Sequence, residues 1–245
     1  MQIVLWIVSI GAILFLSYGI VPTVLLRMLS IGMVKKGELK QTLALTFDDG
    51  PNPVYTPQVL DLLKKYDVKA TFFVVAEKAL DHPDLIRRLK QEGHSIGIHH
   101  YHHTNSWFLT PWSTKREITK SAEIIENLTG VKPVYYRPPY GRFNLFTNIF
   151  ARGYTIVLWS AIFQDWRKGP DSSGLQQRLI AQISEGQIYL LHDDGEDGGA
   201  DSDAPIQMIE ALKRFLPHVR RRGFHCVSLE EHLGKKTTVE QKWSV

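Results

Sequence analysis

The sequence predicts an α/β fold in which a distorted (β/α) barrel of about seven strands follows an N-terminal transmembrane helix. Three observations lead to this prediction: an uncharged apolar start, a regular alternation of strand and helix patterns, and reactive side chains where apolar runs end. Alternation of this kind indicates a mostly parallel sheet covered by helices. Because the active site of such a barrel forms where its strands end, the chain is predicted to be an enzyme.

The amino terminus is the first element and is predicted to be a membrane span. Residues 3–26 are almost wholly apolar, and the first 26 residues carry no charged side chain. About 20 such residues cross the hydrocarbon core of a bilayer. A cleaved signal peptide fits less well, because no Lys or Arg precedes the run and no small-residue cleavage site follows it. A buried core helix is the alternative, although such helices rarely lack polar positions over this length.

The chain therefore divides into three parts. Residues 1–40 form the membrane anchor and juxtamembrane segment, residues 41–234 the folded domain, and residues 235–245 a polar tail. The middle part is long enough for one large domain, and a charged fraction of 22% does not indicate disorder. Lys and Arg are dispersed apart from residues 220–222, interpreted as the solvated end of a helix, so nucleic acid is not an expected partner. The single cysteine, Cys226, excludes an internal disulfide.

Seven apolar runs of the middle part are predicted to be strands, with amphipathic helices 56–66, 83–92 and 114–129 among the segments between them. Helix 114–129 is predicted to begin with a capping box, Thr114-x-x-Glu117. No Gly-x-Gly-x-x-Gly follows the first strand, so a dinucleotide-binding fold lacks its main support. An open doubly wound sheet is the second choice behind the barrel. The predicted strands are residues 42–47, 70–75, 95–98, 134–136, 155–159, 187–191 and 225–228.

Two adjacent carboxylates, Asp48 and Asp49, follow the first predicted strand. Asp-Asp-Gly-Pro is also a good turn sequence, so a plain turn is the alternative interpretation. If both acids point into one mouth, their like charges repel unless a cation lies beside them. A divalent metal ion would remove this conflict by taking one carboxylate as a ligand and leaving the other as a base.

Histidines that could complete such a metal site follow the third predicted strand. His99 and His103 are spaced i, i+4, which places both imidazoles on one side of a helical turn. Half of the ten histidines lie within residues 94–103, so a patch that binds metal adventitiously is the alternative. One Asp and two His would give three protein ligands and an open position, the arrangement of catalytic zinc.

Three further strand ends carry candidate groups. Arg137 lies in a Pro-rich turn, where it forms either a structural ion pair or an ion pair that orients Asp48. His192 ends a strongly apolar strand, and burial beside acids would tune its pKa for general-acid catalysis. Asp165 and Trp166 follow the strand 155–159 and would supply a supporting acid and an apolar wall.

Taken in order, these segments resemble the five motifs of the polysaccharide deacetylases, also called the NodB-homology or carbohydrate esterase 4 family. The resemblance covers residues 42 to about 233 and implies a distorted (β/α) barrel that removes N- or O-acetyl groups from sugars. Five motifs in the right order are far more specific than any one of them. The segments are Thr46-Phe47-Asp48-Asp49-Gly50, His99-x-x-x-His103, Arg137-Pro138-Pro139-Tyr140-Gly141, Asp165-Trp166 and Leu190-Leu191-His192-Asp193.

The resemblance implies a role for each matching residue. Asp48 would be the catalytic base, paired with Arg137. A divalent metal, most simply Zn²⁺, would be held by Asp49, His99 and His103.

The remaining matches would handle the substrate. The backbone N–H of Tyr140 would face the oxyanion, and His192 would be the catalytic acid, tuned by Asp165. Trp166 and Leu190 would line a small pocket for the acetyl methyl group.

The chain departs from the family pattern at three positions. Ile98 stands where the family usually has Asn, and His100 where it usually has Thr or Ser. Ile162 replaces an acid that usually stands three residues before the acid matched by Asp165. The core set is intact, so activity is expected, whereas substrate identity and metal affinity are open.

The sequence thus predicts a metal-dependent deacetylase of an N-acetylated cell-surface glycan such as peptidoglycan or a chitin-like polymer, tethered to the cell membrane by one span. Hydrolysis of another amide or imide is one alternative, and a non-catalytic glycan-binding protein is another. No protein partner is inferred. Such a substrate places the domain outside the cytoplasm. The basic residues that follow the span argue the other way by the positive-inside tendency: Arg27, Lys35, Lys36 and Lys40.

Overall fold

A computed structural model describes residues 1–169, 171–196 and 199–234 of the chain. These residues contain one sheet of nine strands, and every strand pair in it is parallel. The predicted polar tail, residues 235–245, lies outside the described residues. The strands are β1 (Met33–Val34), β2 (Thr42–Asp48), β3 (Thr71–Val74), β4 (Ser95–Ile98), β5 (Tyr135–Tyr136), β6 (Thr155–Val157), β7 (Ala161–Ile162), β8 (Gln187–His192) and β9 (His225–Val227).

The sheet is a curled half-barrel, as the sequence predicts. Its strand order is β1-β6-β5-β4-β3-β2-β8-β7, with β9 beside the first half of β2. From β2 to β6 the neighbours follow chain order without the reversal of a doubly wound sheet, so that alternative is wrong. Ala44, Phe73, Tyr135, Val157 and Ile188 pack in one cluster although several of their strands are not neighbours. The sheet must curl to bring them together.

All seven predicted strands are present, and two short ones are added. Both extra strands, β1 and β7, have only two residues, too few to show a period. β1 pairs with β6 although it lies in the segment assigned to the anchor, so residues just before position 40 take part in the sheet.

Helices cover the outer face of the sheet. They are α3 (Tyr55–Lys65), α4 (Ala76–Asp81), α5 (Pro83–Gln91), α6 (Pro111–Thr129), α7 (Thr147–Phe150), α8 (Ser172–Ala181), α9 (Ala204–Arg221) and α10 (Leu229–His232). Short 3₁₀ turns occupy Ser106–Phe108 and Pro139–Gly141. The basic triplet at residues 220–222 lies at the end of α9, as predicted.

The start of α6 differs from the prediction. The helix begins at Pro111, one turn earlier than the capping box placed it, and the Oγ1 of Thr110 accepts a hydrogen bond from the Ser113 N–H. Proline suits the first helical position because its missing N–H would have no partner there. Glu117 therefore lies inside the helix, where its carboxylate has another role.

The amino-terminal helix runs without a break through α1 (Gln2–Phe15), a π-helical turn (Leu16–Ile20) and α2 (Val21–Leu29). Among the described residues it is the one helix long and apolar enough to cross a membrane. Its second half is docked on the domain. Gly19 lies against the Trp107 ring, and Thr23 Oγ1 accepts hydrogen bonds from Trp107 Nε1 and the Phe143 N–H, both at 2.8 Å.

Candidate active site

A cavity of about 350 Å³ opens at the carboxyl ends of the strands. Two predicted site residues, Arg137 and Asp165, are buried and do not line it. The other eight line the cavity: Asp48, Asp49, His99, His103, Tyr140, Trp166, Leu190 and His192. The strand ends thus bring together residues that are up to 144 positions apart in the chain, from Asp48 to His192.

The two adjacent carboxylates reach this cavity because the backbone changes conformation between them. Asp48 is the last residue of β2, and Asp49 has a φ of 75°, in the left-handed region. This breaks the alternation of a strand, in which successive side chains point to opposite faces. Strained backbone of this kind persists where the surrounding structure holds it and is concentrated at functional sites.

Gly50 makes the tight turn possible. A Cβ at this position would lie 2.4–2.7 Å from the Asp193 carboxyl group, so no larger residue fits. Asp193 itself is fully buried and accepts a hydrogen bond from the Thr56 hydroxyl. Burial raises the pKa of Asp193 to about 7.

Asp49, His99 and His103 converge on one point. Asp49 Oδ1 lies 3.3 Å from His99 Nε2 and 3.0 Å from His103 Nε2, and one potential ligand atom of each residue lies within 4.8 Å of the others. His99 Nδ1 lies 2.8 Å from the Arg137 carbonyl oxygen, which favours the tautomer with a free lone pair on Nε2. Two imidazoles and a carboxylate at this spacing fit a divalent transition metal.

The two histidines do not lie on a helical turn, contrary to the sequence-based expectation. Residues 99–105 form an irregular loop in which His100 and His103 have φ values of 66° and 53°. The spacing brought the right residues together through a different backbone path. Non-glycine residues rarely adopt this conformation, so no local sequence pattern predicts it.

Glu117 fixes the conformation of this loop through hydrogen bonds. The sequence analysis did not predict this role. Its Oε2 accepts hydrogen bonds from the N–H groups of Tyr101 (2.7 Å) and His102 (2.9 Å), and its Oε1 lies 2.9 Å from His102 Nδ1. The buried carboxylate therefore fixes the two residues just before His103. Contacts between residues fifteen and sixteen positions apart leave no local signal in the sequence.

Arg137 is fully buried behind the acids and bonds to Asp48 Oδ1 through Nη1 at 2.5 Å. The same nitrogen donates to Thr46 Oγ1, and Nε and Nη2 donate to the carbonyl oxygens of Val157 and Leu158. Its guanidinium also lies 4.1 Å from the centre of the Phe73 ring. One face of Asp48 is thereby occupied, whereas its Oδ2 lies on the side of His99, 3.7 Å from Nε2.

His192 faces the cavity from β8, where it is the register partner of Asp48. Its Nδ1 lies 3.0 Å from Asp165 Oδ1, and its backbone N–H donates to Asp165 Oδ2 at 2.7 Å. Burial acts to lower the pKa of His192, but the Asp165 charge and hydrogen bond, with Asp49 and Asp48, raise it to about 9. These charges favour the protonated imidazole. The Trp166 ring lies edge-on to it at 5.2 Å.

The cavity wall also contains residues that were not named as site residues from the sequence. Trp159 and Arg167 line it, as do Gly199 and Ala200 from the loop before α9. Trp159 is the last residue of the predicted strand 155–159. The expectation that site residues lie at strand ends could therefore have included it. Arg167 lies next to Trp166, whereas the glycine-rich loop carries no pattern that fixes its path.

The three departures from the family pattern occupy different environments. Ile98 is buried and pairs with Tyr136 in the sheet. His100 is buried, with Nε2 2.8 Å from Tyr136 Oη and Nδ1 3.0 Å from the Thr104 carbonyl oxygen. Burial lowers its pKa to about 3, so it is neutral. Ile162 is half-exposed and lines the cavity, which makes that wall apolar where an acid would be charged.

Comparison with known proteins agrees with this geometry. A family model described as polysaccharide deacetylase matches residues 35–154. A peptidoglycan-N-acetylglucosamine deacetylase of Bacillus cereus is 34% identical over 192 residues, 78% of this chain and 67% of that protein. A solved peptidoglycan N-acetylglucosamine deacetylase superposes with a TM-score of 0.78 at 30% identity, covering 86% of this chain and 97% of the other.

One similar structure is that of a pseudoenzyme. It is a carbohydrate esterase 4 family pseudoenzyme from Bacillus anthracis, with a TM-score of 0.72 at 26% identity, covering 82% of this chain and 68% of that one. The fold by itself therefore does not guarantee catalysis, and the residues at the site decide. With its family match, its relatives and its half-barrel, this chain belongs to the polysaccharide deacetylase family.

Proposed function

We propose that the chain is a metal-dependent hydrolase that removes acetyl groups from an N-acetylated cell-surface glycan such as peptidoglycan or a chitin-like polymer. The proposal rests on one observation: the two adjacent acids have different partners. Asp48 is paired with Arg137, whereas Asp49 faces His99 and His103. One carboxylate is thus placed to act as a base and the other as a ligand.

Asp49, His99 and His103 would hold the metal, for which zinc is the simplest choice given two imidazoles and one carboxylate. A bound divalent metal would polarise the acetyl carbonyl and make water more acidic. The remaining residues position and move protons. Because Arg137 occupies Asp48 Oδ1, the free Oδ2 is the atom that takes the proton of the attacking water.

His192 would protonate the departing sugar amine. Asp165 binds Nδ1, so Nε2 is the nitrogen left for the substrate. The raised pKa of His192 favours the protonated imidazole that this role requires. The backbone N–H of Tyr140 would donate to the oxyanion, and Trp166 with Leu190 would enclose the acetyl methyl group.

Release of acetate from N-acetylglucosamine oligomers and from peptidoglycan tests this proposal. The purified full chain in detergent should release acetate, a chelator should abolish the release, and added Zn²⁺ should restore it, because the hydrolysis depends on a metal at the Asp49–His99–His103 site. Acetate release that survives complete metal removal would contradict the metal-dependent part. No release from either glycan, together with cleavage of another amide or imide, would favour the alternative enzyme.

A non-catalytic glycan-binding role is the second candidate, and the similar structure of a pseudoenzyme is the observation in its favour. Against it, every residue that the proposed chemistry needs is present and lies at the cavity or directly behind it. The two pairs that the proposed chemistry uses, Arg137–Asp48 and Asp165–His192, are both in place.

We further propose that the first helix spans the cell membrane and that residues 41–234, the deacetylase domain, lie outside the cytoplasm, where such glycans are found. Two of the four basic residues after the span take part in the fold. Arg27 lies 5.3 Å from the centre of the Trp159 ring, and Lys35 Nζ donates to the Arg27 carbonyl oxygen. Their positions therefore have a structural reason besides membrane orientation.

A protease added to intact cells is expected to degrade the domain, because the proposed orientation leaves it on the outer side of the membrane. Immunoblotting against the carboxyl-terminal half would follow the loss, with a cytoplasmic protein as the control for cell integrity. Full protection in intact cells and digestion only after lysis would place the domain in the cytoplasm.

A further inference from the structure

Large apolar side chains are exposed around the point where the first helix leaves the domain. Phe108, Trp112 and Leu145 are 70%, 79% and 57% exposed, and Ile149, four residues after Leu145, is also exposed. We call these four residues the apolar rim. They lie in the connections that follow the carboxyl ends of β4 and β5, the same end of the barrel as the cavity. Single exposed apolar residues are common, but a group of them marks an interaction surface.

The apolar rim contacts the first helix directly. The Phe15 ring stacks on Phe108 at 5.7 Å, and Tyr18 Oη donates to the Leu109 carbonyl oxygen at 2.6 Å. The Leu145 N–H donates to the Tyr18 carbonyl oxygen at 2.9 Å. These contacts fix the rim at the level of Phe15 and Tyr18 along the helix.

Apolar side chains of the first helix are exposed on both sides of the level of Phe15 and Tyr18. Every residue from 1 to 14 is exposed, and the docked half continues to expose Leu16, Val21, Val24 and Leu25 on the side away from the domain. Helix and rim therefore form one continuous apolar surface. The exposed Lys115 and Arg116 follow Trp112 at i+3 and i+4 on α6, so this flank is basic.

We propose that the apolar rim is seated at the headgroup boundary of the bilayer that the first helix crosses, so that residues 1–17, about 25 Å at 1.5 Å per residue, lie in the hydrocarbon core and the docked half leaves it through the headgroups. Aromatic residues and leucine favour this region, and Lys115 and Arg116 would meet anionic lipid headgroups there. A lipid surface is the occupant because the rim is continuous with a helix that is itself apolar enough to lie in lipid. The inference rests on the proposed membrane span and is independent of the deacetylase chemistry.

This seating brings the active site close to the membrane. Arg27, which lies over the cavity-wall residue Trp159, comes nine residues after Tyr18. At 1.5 Å per residue, that separation is about 14 Å along the helix axis. The cavity therefore opens at the membrane-facing end of the barrel, and the glycan that reaches it is the part next to the bilayer.

Site-specific fluorescence in vesicles tests the seating with the full chain. In a Cys226→Ser background, Trp112→Cys and Leu145→Cys each carry an environment-sensitive label on the rim. Val131→Cys is the matched control, since it is also an exposed apolar residue but follows the other end of α6, about 28 Å away. Each protein is reconstituted into phosphatidylcholine–phosphatidylglycerol vesicles with and without lipid that carries a spin-label quencher on its acyl chain.

Quenching of about twofold or more at positions 112 and 145, with an unchanged signal at 131, is the expected result, because interfacial residues lie within about 5–10 Å of the acyl boundary. Equal signals with and without quencher at both rim positions would show that the domain stands off the bilayer. Equal quenching at all three positions would also overturn the proposal, because it reports unspecific adsorption. Acetate release from a soluble oligosaccharide, measured on the same samples, separates failure of the deacetylase function from failure of the seating.

Discussion

Asp48→Asn is expected to lower kcat for acetate release by about 100- to 10,000-fold, the usual contribution of a catalytic base. Asparagine has the same shape as aspartate, and its amide oxygen can still accept from Arg137 Nη1. It cannot take a proton from water. The three proposed metal ligands are unchanged, so the protein should keep its metal.

The measurement combines kcat with the metal content of the purified protein. Asp84→Asn is the matched control, because the Asp84 side chain is 93% exposed on α5 and does not line the cavity. It should leave both quantities unchanged. Wild-type kcat in Asp48→Asn would exclude Asp48 as the base, and a loss of metal together with activity would instead make Asp48 part of the metal site.

The chemistry of this site is readable from the sequence because reactive residues end apolar runs. β2 and β8 are buried over nearly their whole length, so each appears as a mostly apolar segment that ends in a reactive polar group. Asp48 and His192 are found in this way without knowledge of the fold. Residue type and spacing then suffice to nominate a metal site.

The path of the backbone through the site is not readable in the same way. Asp49, His100 and His103 adopt left-handed φ values that tertiary contacts impose. Glu117 shows the same limit, since its sequence position suggested a local cap while its carboxylate holds a loop fifteen and sixteen residues away. Local rules assign each polar group to its nearest partner, whereas buried groups take the partner that the fold brings.

The sequence of the docked half of the first helix does indicate that this half packs against protein. Gly19 and Thr23 interrupt the apolar run at i, i+4, and both are buried against the domain. A small residue and a hydroxyl on one face of a lipid-exposed helix favour close packing against protein. The membrane anchor and the catalytic domain could therefore have been predicted to touch.

Arg137→Met is expected to destabilise the metal-free protein by about 3–5 kcal/mol at pH 7, the usual cost of leaving a buried charge without its partner. Methionine fills similar space but donates no hydrogen bond. Asp48 would lose its Nη1 partner, and the carbonyl oxygens of Val157 and Leu158 would lose theirs. Chemical denaturation of the full chain in detergent, with chelator present, measures the loss.

Arg87→Met is the matched control, because Arg87 is half-exposed on α5 and its ion pair with Asp84 is solvated. A solvated pair contributes about 0–1 kcal/mol, so the control should lose little stability. The double variant Asp48→Asn/Arg137→Met should regain part of the loss, since an unpaired amide costs less to bury than an unpaired carboxylate. If the two substitutions were simply additive, the role of Arg137 would be to fill space and bond to the backbone. Recovery of stability in the double variant would show that the buried guanidinium of Arg137 compensates the negative charge of Asp48. The same ion pair would then stabilise the fold and position the catalytic base.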